Sequence, residues 1–270
     1  MKHLKTIFWL NEHLMDSNLI LLDASQQNNV SGDQSLLKGK HIVRSQLFNI
    51  KTTFSDTSSP FPNTIPSELQ FQQEARKLGI NNDSVIVIYD NIGIYSSPRA
   101  WWLFRLYGHK NVYVLDGGLP EWVKEGHEIT SHLLEPERGN FKAVLNSELV
   151  KTFDTIKNNI PVQNFKVVDA RSKDRFEGNI KEPRKGLRSG SIPKSVNLPY
   201  TDVLEYGKLK STKELDEIFS SFTKTDKALV FSCGSGVTAC ILLLAFTETT
   251  GKNAAIYDGS WTEWGSLYKF

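Results

Sequence analysis

Lys110-Asn111-Val112-Tyr113-Val114-Leu115-Asp116-Gly117-Gly118-Leu119-Pro120-Glu121-Trp122 returns near the end of the chain as Lys252-Asn253-Ala254-Ala255-Ile256-Tyr257-Asp258-Gly259-Ser260-Trp261-Thr262-Glu263-Trp264. Each copy is a short apolar run that ends in Asp-Gly, and the likeness extends outward on both sides. Leu21-Leu22-Asp23-Ala24 returns as Val167-Val168-Asp169-Ala170, a buried strand closing on an Asp-containing turn. Asp83-Ser84-Val85-Ile86-Val87-Ile88-Tyr89-Asp90 returns as Asp226-Lys227-Ala228-Leu229-Val230-Phe231-Ser232-Cys233, a strand of continuous apolar character. Segments recurring in the same order at this spacing mark a duplicated chain.

Helix-length segments separate the strands: Ser67 to Leu78, Pro98 to Tyr107, Thr212 to Phe222 and Val237 to Thr247. Alternating strand and helix predicts an α/β fold, with a parallel sheet in each half covered by helices on both faces. The polar stretch around Pro136 and Gly139 divides the halves. We therefore expect a first domain over 1–135, a linker over 136–150 and a second domain over 151–270.

The composition is that of a folded globular protein, with 39% hydrophobic and 23% charged residues in 270. Lys and Arg number 32 against 30 Asp and Glu, a net charge of +2 that gives no ground for a nucleic-acid or membrane partner. The apolar run Ile7 to Leu10 is broken by Asn11, Glu12 and His13 before it reaches the length of a signal-peptide core. Two cysteines, Cys233 and Cys240, are too few for a disulfide framework and suit a reducing compartment. A cytoplasmic monomer is expected.

Cys233 follows directly on a buried strand and opens Cys233-Gly234-Ser235-Gly236-Val237-Thr238-Ala239, which runs into an apolar helix. Ligands of open parallel sheets sit outside the carboxyl ends of the strands, and this is such a position. The two glycines let backbone amides turn inward, and with the helix N-terminus they make a cradle for negative charge. A thiol in water is only a few per cent thiolate at neutral pH, so such a cradle favours the nucleophilic form. Cys240, inside the helix, reads as an inert buried thiol. In the first half, Asp90 stands where Cys233 stands, so that domain is expected to be catalytically silent.

The loop resembles the active-site loop of the 3-mercaptopyruvate sulfurtransferases, two-domain members of the rhodanese family. The likeness runs through Ser97-Pro98-Arg99-Ala100-Trp101-Trp102, Asp116-Gly117-Gly118, Glu182-Pro183-Arg184 and Tyr257-Asp258-Gly259-Ser260-Trp261, and covers essentially the whole chain. It implies tandem rhodanese-like domains and sulfur carried as a persulfide on Cys233. The sulfur would pass to a thiol, cyanide or thioredoxin-like acceptor, with no metal and no cofactor beyond the persulfide.

Relatives that prefer thiosulfate usually carry basic side chains in this loop, as in Cys-Arg-Lys-Gly. Here Gly234 and Ser235 are neutral, which favours a donor whose carboxylate lies farther from the sulfur. Arg175 and Arg184 match the family's substrate arginines, and guanidinium groups suit planar carboxylates; taken alone, both read as solvated surface residues. Gly234, Ser235, Gly236, Val237 and Thr238 complete the implied substrate site. The Thr238 hydroxyl serves either to stabilise charge or to cap the following helix.

By the same resemblance Asp56 and Ser235 belong to a proton relay, whose histidine is replaced here by Asn63. An amide cannot shuttle a proton near neutral pH, so water or another group is expected to protonate the departing enolate. His41 is another candidate, though a lone histidine in a turn is more often structural.

Rival readings are a thiosulfate sulfurtransferase and a non-catalytic rhodanese-like binding module. Dual-specificity phosphatases share the architecture, but their loop needs an Arg six residues after the Cys, where this chain has Ala239.

Overall fold

The structure, a computed structural model, describes residues 2–26, 35–225 and 227–268. Asp226, which opens the second copy of the central strand motif, lies outside them. The chain forms two compact units, the first comprising Met1–Asp56, Ile65–Asn146 and Tyr206–Lys208, the second Thr57–Thr64, Ser147–Glu205 and Leu209–Phe270.

Each unit is built on a five-stranded sheet whose strands all run parallel, and the two sheets share one strand order. In the first the order is Leu4–Lys5, Val112–Leu115, Val85–Tyr89, Leu19–Asp23, Gln46–Leu47. In the second it is Val150–Lys151, Ala255–Tyr257, Ala228–Ser232, Phe165–Asp169, Val196–Asn197. Every strand thus has its counterpart at the same place, and the sequence repeat is a repeat of topology.

The central strands are apolar throughout because helices cover both faces. In the first unit alternate residues Leu19, Leu21, Val87 and Tyr89 turn to one face, where they pack with Leu115, Leu119 and Trp122. The second unit repeats this with Val167, Val230, Ala255, Tyr257, Trp261 and Trp264. Trp122 and Trp264 close the repeated motif in sequence and plug the same sheet face in space, which is the packing reason for the shared Glu-Trp.

The expected helices form at Glu68–Lys77, Ser97–Leu106, Thr212–Thr223 and Ala239–Thr250. Ser67 caps the first by accepting from the Gln70 amide, and Ser211 with Glu214 forms a reciprocal capping box on the third. Ala239–Thr250 is buried along its length from Ala239 to Thr247, as its uniformly apolar sequence requires. No helix among the described residues is long and apolar enough to cross a membrane.

The stretch read from composition as a linker, 136–150, is strapped along the first unit as far as Asn146. The Gly139 amide donates to the Arg76 carbonyl (2.8 Å), the Phe141 amide to Ile80 (3.0 Å) and the Val144 amide to Tyr107 (3.1 Å), while the Phe141 ring is buried. A side chain at 139 would put its Cβ 2.1 Å from the Ile80 carbonyl oxygen, so only glycine lets the strap lie this close. These are backbone contacts, and polar composition does not reveal them.

Candidate active site

Ala228–Ser232 is the central strand of the second sheet, paired with Phe165–Asp169 on one side and Ala255–Tyr257 on the other. Cys233 is the next residue, at the carboxyl end, and the chain loops through 234–238 before the helix Ala239–Thr250 begins. The loop is held by its carbonyls. Cys233 O accepts from the Trp261 amide (3.0 Å) and Gly234 O from the Thr262 amide (2.9 Å). Ser235 O accepts from Asn63 Nδ2 (3.2 Å), and Gly236 O from the Cys240 thiol (3.3 Å).

In a trans peptide the N–H points opposite to the preceding C=O. Each of these four carbonyls, engaged by the surrounding protein, leaves the amide that follows it on the opposite edge of its peptide plane, the arrangement an anion cradle requires. Gly236 sits at φ +75°, where a side chain would be strained. Gly234 is needed for a different reason: a Cβ there would lie 3.0 Å from Arg175 Nη2 and 3.6 Å from Arg184 Nη1. Its missing side chain makes room for two guanidinium groups beside the loop.

Arg184 Nη2 donates to Ser235 Oγ at 3.1 Å, and Asn63 Nδ2 donates to the same oxygen at 3.0 Å. A hydroxyl has two lone pairs and one hydrogen. With both lone pairs engaged, the Ser235 hydroxyl keeps its hydrogen for donation to a third group. Asn63 is buried at φ +61°, in the left-handed region that asparagine tolerates better than most residues.

Arg175 is positioned from behind. Its Nη2 lies 2.6 Å from Glu182 Oε2 and its Nε 3.3 Å from Oε1. Glu182 is in turn gripped by Arg171 Nη1 at 2.7 Å, and Arg171 is bound by Asp169 through three contacts of 2.7 to 3.1 Å. The Arg171 guanidinium also lies 4.5 Å over the Trp261 ring. Side-chain exposure is 0% for Arg171 and Glu182, but 18% for Arg175. Burial works against the Arg171 charge, yet the carboxylates of Asp169 and Glu182 outweigh it and raise its pKa.

The second unit thus brings together Cys233, Gly234, Ser235, Gly236, Val237, Thr238, Arg175 and Arg184. Thr238 is half-buried and makes no capping hydrogen bond, so the capping role open to it from sequence is not taken up. Asp56 is half-buried in the first unit. His41, also in the first unit, bonds through Nδ1 to the buried Asp23 carboxylate at 2.6 Å, a structural setting.

Sequence inspection assigned no role to Asp169, Arg171, Glu182 or Ser260, although most of them lie in motifs already noticed. Ser260 Oγ accepts from the Cys233 amide (3.1 Å) and donates to Tyr257 O (2.8 Å), tying the cysteine to the neighbouring strand. The departure of Ser260 from Gly118 in the repeat was the signal available.

The rhodanese-like domain family matches the chain twice, over residues 6–125 and 152–267. The chain belongs to the rhodanese family. It is 40% identical over 266 residues to a thiosulfate sulfurtransferase of Gallus gallus, covering 95% of this chain and 91% of the relative. It is 37% identical over 265 residues to a 3-mercaptopyruvate sulfurtransferase of Escherichia coli, covering 96% and 93%. Among solved structures, the crystal structure of SseA from Escherichia coli, described as a 3-mercaptopyruvate sulfotransferase, superposes with a TM-score of 0.85 at 33% identity, covering 97% of this chain and 99% of that one.

Proposed function

We propose that this chain is a sulfurtransferase that takes sulfur from 3-mercaptopyruvate onto Cys233 and passes it as a persulfide to a thiol or thioredoxin-like acceptor. Relatives named for thiosulfate and for 3-mercaptopyruvate are similar to it in nearly equal degree, so overall likeness does not choose the donor. The loop supports 3-mercaptopyruvate: its side chains are neutral, and the guanidinium groups of Arg175 and Arg184 lie beside Gly234, one residue beyond the cysteine. A donor with sulfur at one end and carboxylate at the other spans that arrangement. This juxtaposition is the observation that carries the proposal.

The Cys233 thiolate attacks the donor sulfur, and the carbon–sulfur electron pair leaves as the enolate of pyruvate. The outer sulfur of the new perthiol first bears the donor's thiol proton. Transfer of that proton to the enolate carbon yields pyruvate and leaves the persulfide anion in the cradle of amides. The Ser235 hydroxyl donates to the oxygen on which charge builds, supported by Asn63 and Arg184. Because Asn63 carries no titratable proton, it supports Ser235 without relaying, and the proton comes from the perthiol or from water.

The test is sulfur transfer from 3-mercaptopyruvate and from thiosulfate, compared for the intact protein and Cys233→Ser. Preference for 3-mercaptopyruvate that vanishes in the variant is expected. Preference for thiosulfate would overturn the donor assignment, and equal transfer by the variant would overturn the nucleophile.

A further inference from the structure

Asp169, Arg171, Glu182 and Arg175 form a chain of alternating charge that starts at the end of a central strand and finishes beside Gly234. Only its last member is exposed enough to meet a donor. Glu182 cannot touch one, since its side chain is fully buried, but it bonds both Nε and Nη2 of Arg175 and so occupies one edge of that guanidinium. In a dry setting an adjacent carboxylate cancels much of an arginine's field, while the unengaged edge of the fork still forms hydrogen bonds.

We propose that Glu182 sets the charge selectivity of the site: by neutralising Arg175 from behind, it leaves a hydrogen-bonding edge suited to a monoanionic carboxylate and withholds the positive charge a dianion needs. This rests on the proposed function for the identity of the donors. Glu182 is a specificity-determining residue that acts through Arg175, and Arg171, clamped by Asp169, keeps it in place.

Glu182→Gln removes the charge and keeps the size; Arg175→Gln/Glu182→Gln removes the pair and keeps the buried charge balanced. Two ratios are read in the full chain: kcat/KM for thiosulfate over 3-mercaptopyruvate, and the rate of Cys233 alkylation by iodoacetate over iodoacetamide, followed by mass spectrometry. The alkylating pair differ in charge, so their ratio reports the field at the loop whatever the sulfur donor. Glu182→Gln is expected to raise both ratios about fivefold, whereas in the double variant, which also loses a carboxylate-binding group, the alkylation ratio alone stays within about twofold of the wild type.

Unchanged ratios in a folded Glu182→Gln protein would overturn the inference. So would a fivefold fall of the alkylation ratio in the double variant, which is read even if the single variant does not fold, because it would show Arg175 acting with its full charge. A raised alkylation ratio without sulfur transfer from either donor would sustain Glu182's role and overturn the proposed function instead.

Discussion

Asp90 and Cys233 stand at the same step of the two repeats, each one residue beyond the central strand of its sheet, and their loops are used in opposite ways. In the first unit the Asp90 carboxylate fills its own loop. Oδ2 accepts from the amides of Tyr95, Ser96 and Ser97 (2.9 Å each) and from the Ser97 hydroxyl (2.7 Å), while Oδ1 accepts from the Ile92 amide (3.1 Å). Burial pushes the Asp90 pKa up, and these donors pull against it. A carboxylate oxygen lies two bonds beyond Cβ, as would the outer sulfur of a persulfide on Cys233. The first loop is therefore closed by an anion that is part of the chain, and the second carries in its place a side chain one bond shorter and without a carboxylate.

The residue facing each loop differs in step with this. Gly118 has φ +56°, and a Cβ there would come within 2.5 Å of the Asp90 carbonyl and 2.6 Å of Gly93 O. Ser260 adopts the same left-handed backbone, φ +50°, and uses its hydroxyl to hold the Cys233 amide. One copy of the loop is packed tight around a fixed charge, and the other is braced from outside by a side chain the first cannot accommodate.

The largest effect should come from making the second loop into the first. Cys233→Asp supplies the cradle with its own carboxylate, and transfer measured by pyruvate release should fall at least about a thousandfold, because the nucleophile is gone and its place is filled. Residual transfer near the wild-type level would mean that sulfur is carried elsewhere.

The converse change empties the first loop. Asp90→Ala leaves four amides and a hydroxyl without their acceptor, and urea denaturation should report a loss of about 3 kcal/mol, against less than about 1 kcal/mol for Cys233→Ala. Similar losses for the two would erase the distinction between a self-filled and an open cradle.

A smaller effect is expected at Asn63, which supports the open loop alone. Asn63→Ala removes one of two donors to Ser235 and should lower kcat for 3-mercaptopyruvate about fivefold, an amount corresponding to about 1 kcal/mol. Asn63→His keeps a donor and a residue type tolerant of the left-handed backbone, and it should introduce a pH dependence of the rate near neutrality that the wild type lacks. An unaltered rate profile in both variants would remove Asn63 from the mechanism.

The smallest effect separates the units by acid. Burial, reinforced by the charges of Arg105 and Lys2, lowers the His3 pKa from 6.5 to about 4; the second unit has Leu149 at the corresponding place before its first strand. The folded form binds fewer protons than the unfolded between these values, so this stability is complete above pH 6.5 and drains away as the pH falls toward 4. Because His3 is half-exposed, solvent screening limits the effect to about 1 kcal/mol. His3→Leu, which copies the second unit, should flatten the fall of unfolding free energy across that window, and an unchanged slope would show His3 to be uninvolved.

Much of this was legible in the residues themselves. The duplicated strand motifs carry the two parallel sheets, because continuous apolar runs alternating with helix-length segments have few other ways to bury both faces. The cysteine loop was legible because a strand, two glycines and an apolar helix occur in unbroken succession. Arg175 and Arg184 were reached only through family resemblance, since nothing local distinguishes a surface arginine from one folded back on a loop. Glu182 was visible as part of Glu182-Pro183-Arg184, but its partner Arg171 lies eleven residues away in sequence and is held in turn by Asp169, a link made only in the folded core.

What the sequence by itself determined is the architecture and the place of the cysteine loop in it, because periodicity, turn residues and the strand-to-helix glycine succession are local properties that survive without knowledge of neighbours. The tertiary structure decided what surrounds that cysteine: which donors hold the loop carbonyls, which side chains reach the Ser235 hydroxyl, and which buried carboxylate binds the arginine beside Gly234. Those are consequences of distant segments packed to within hydrogen-bond range in a medium where a single unbalanced charge is costly, and no short stretch of the chain contains them.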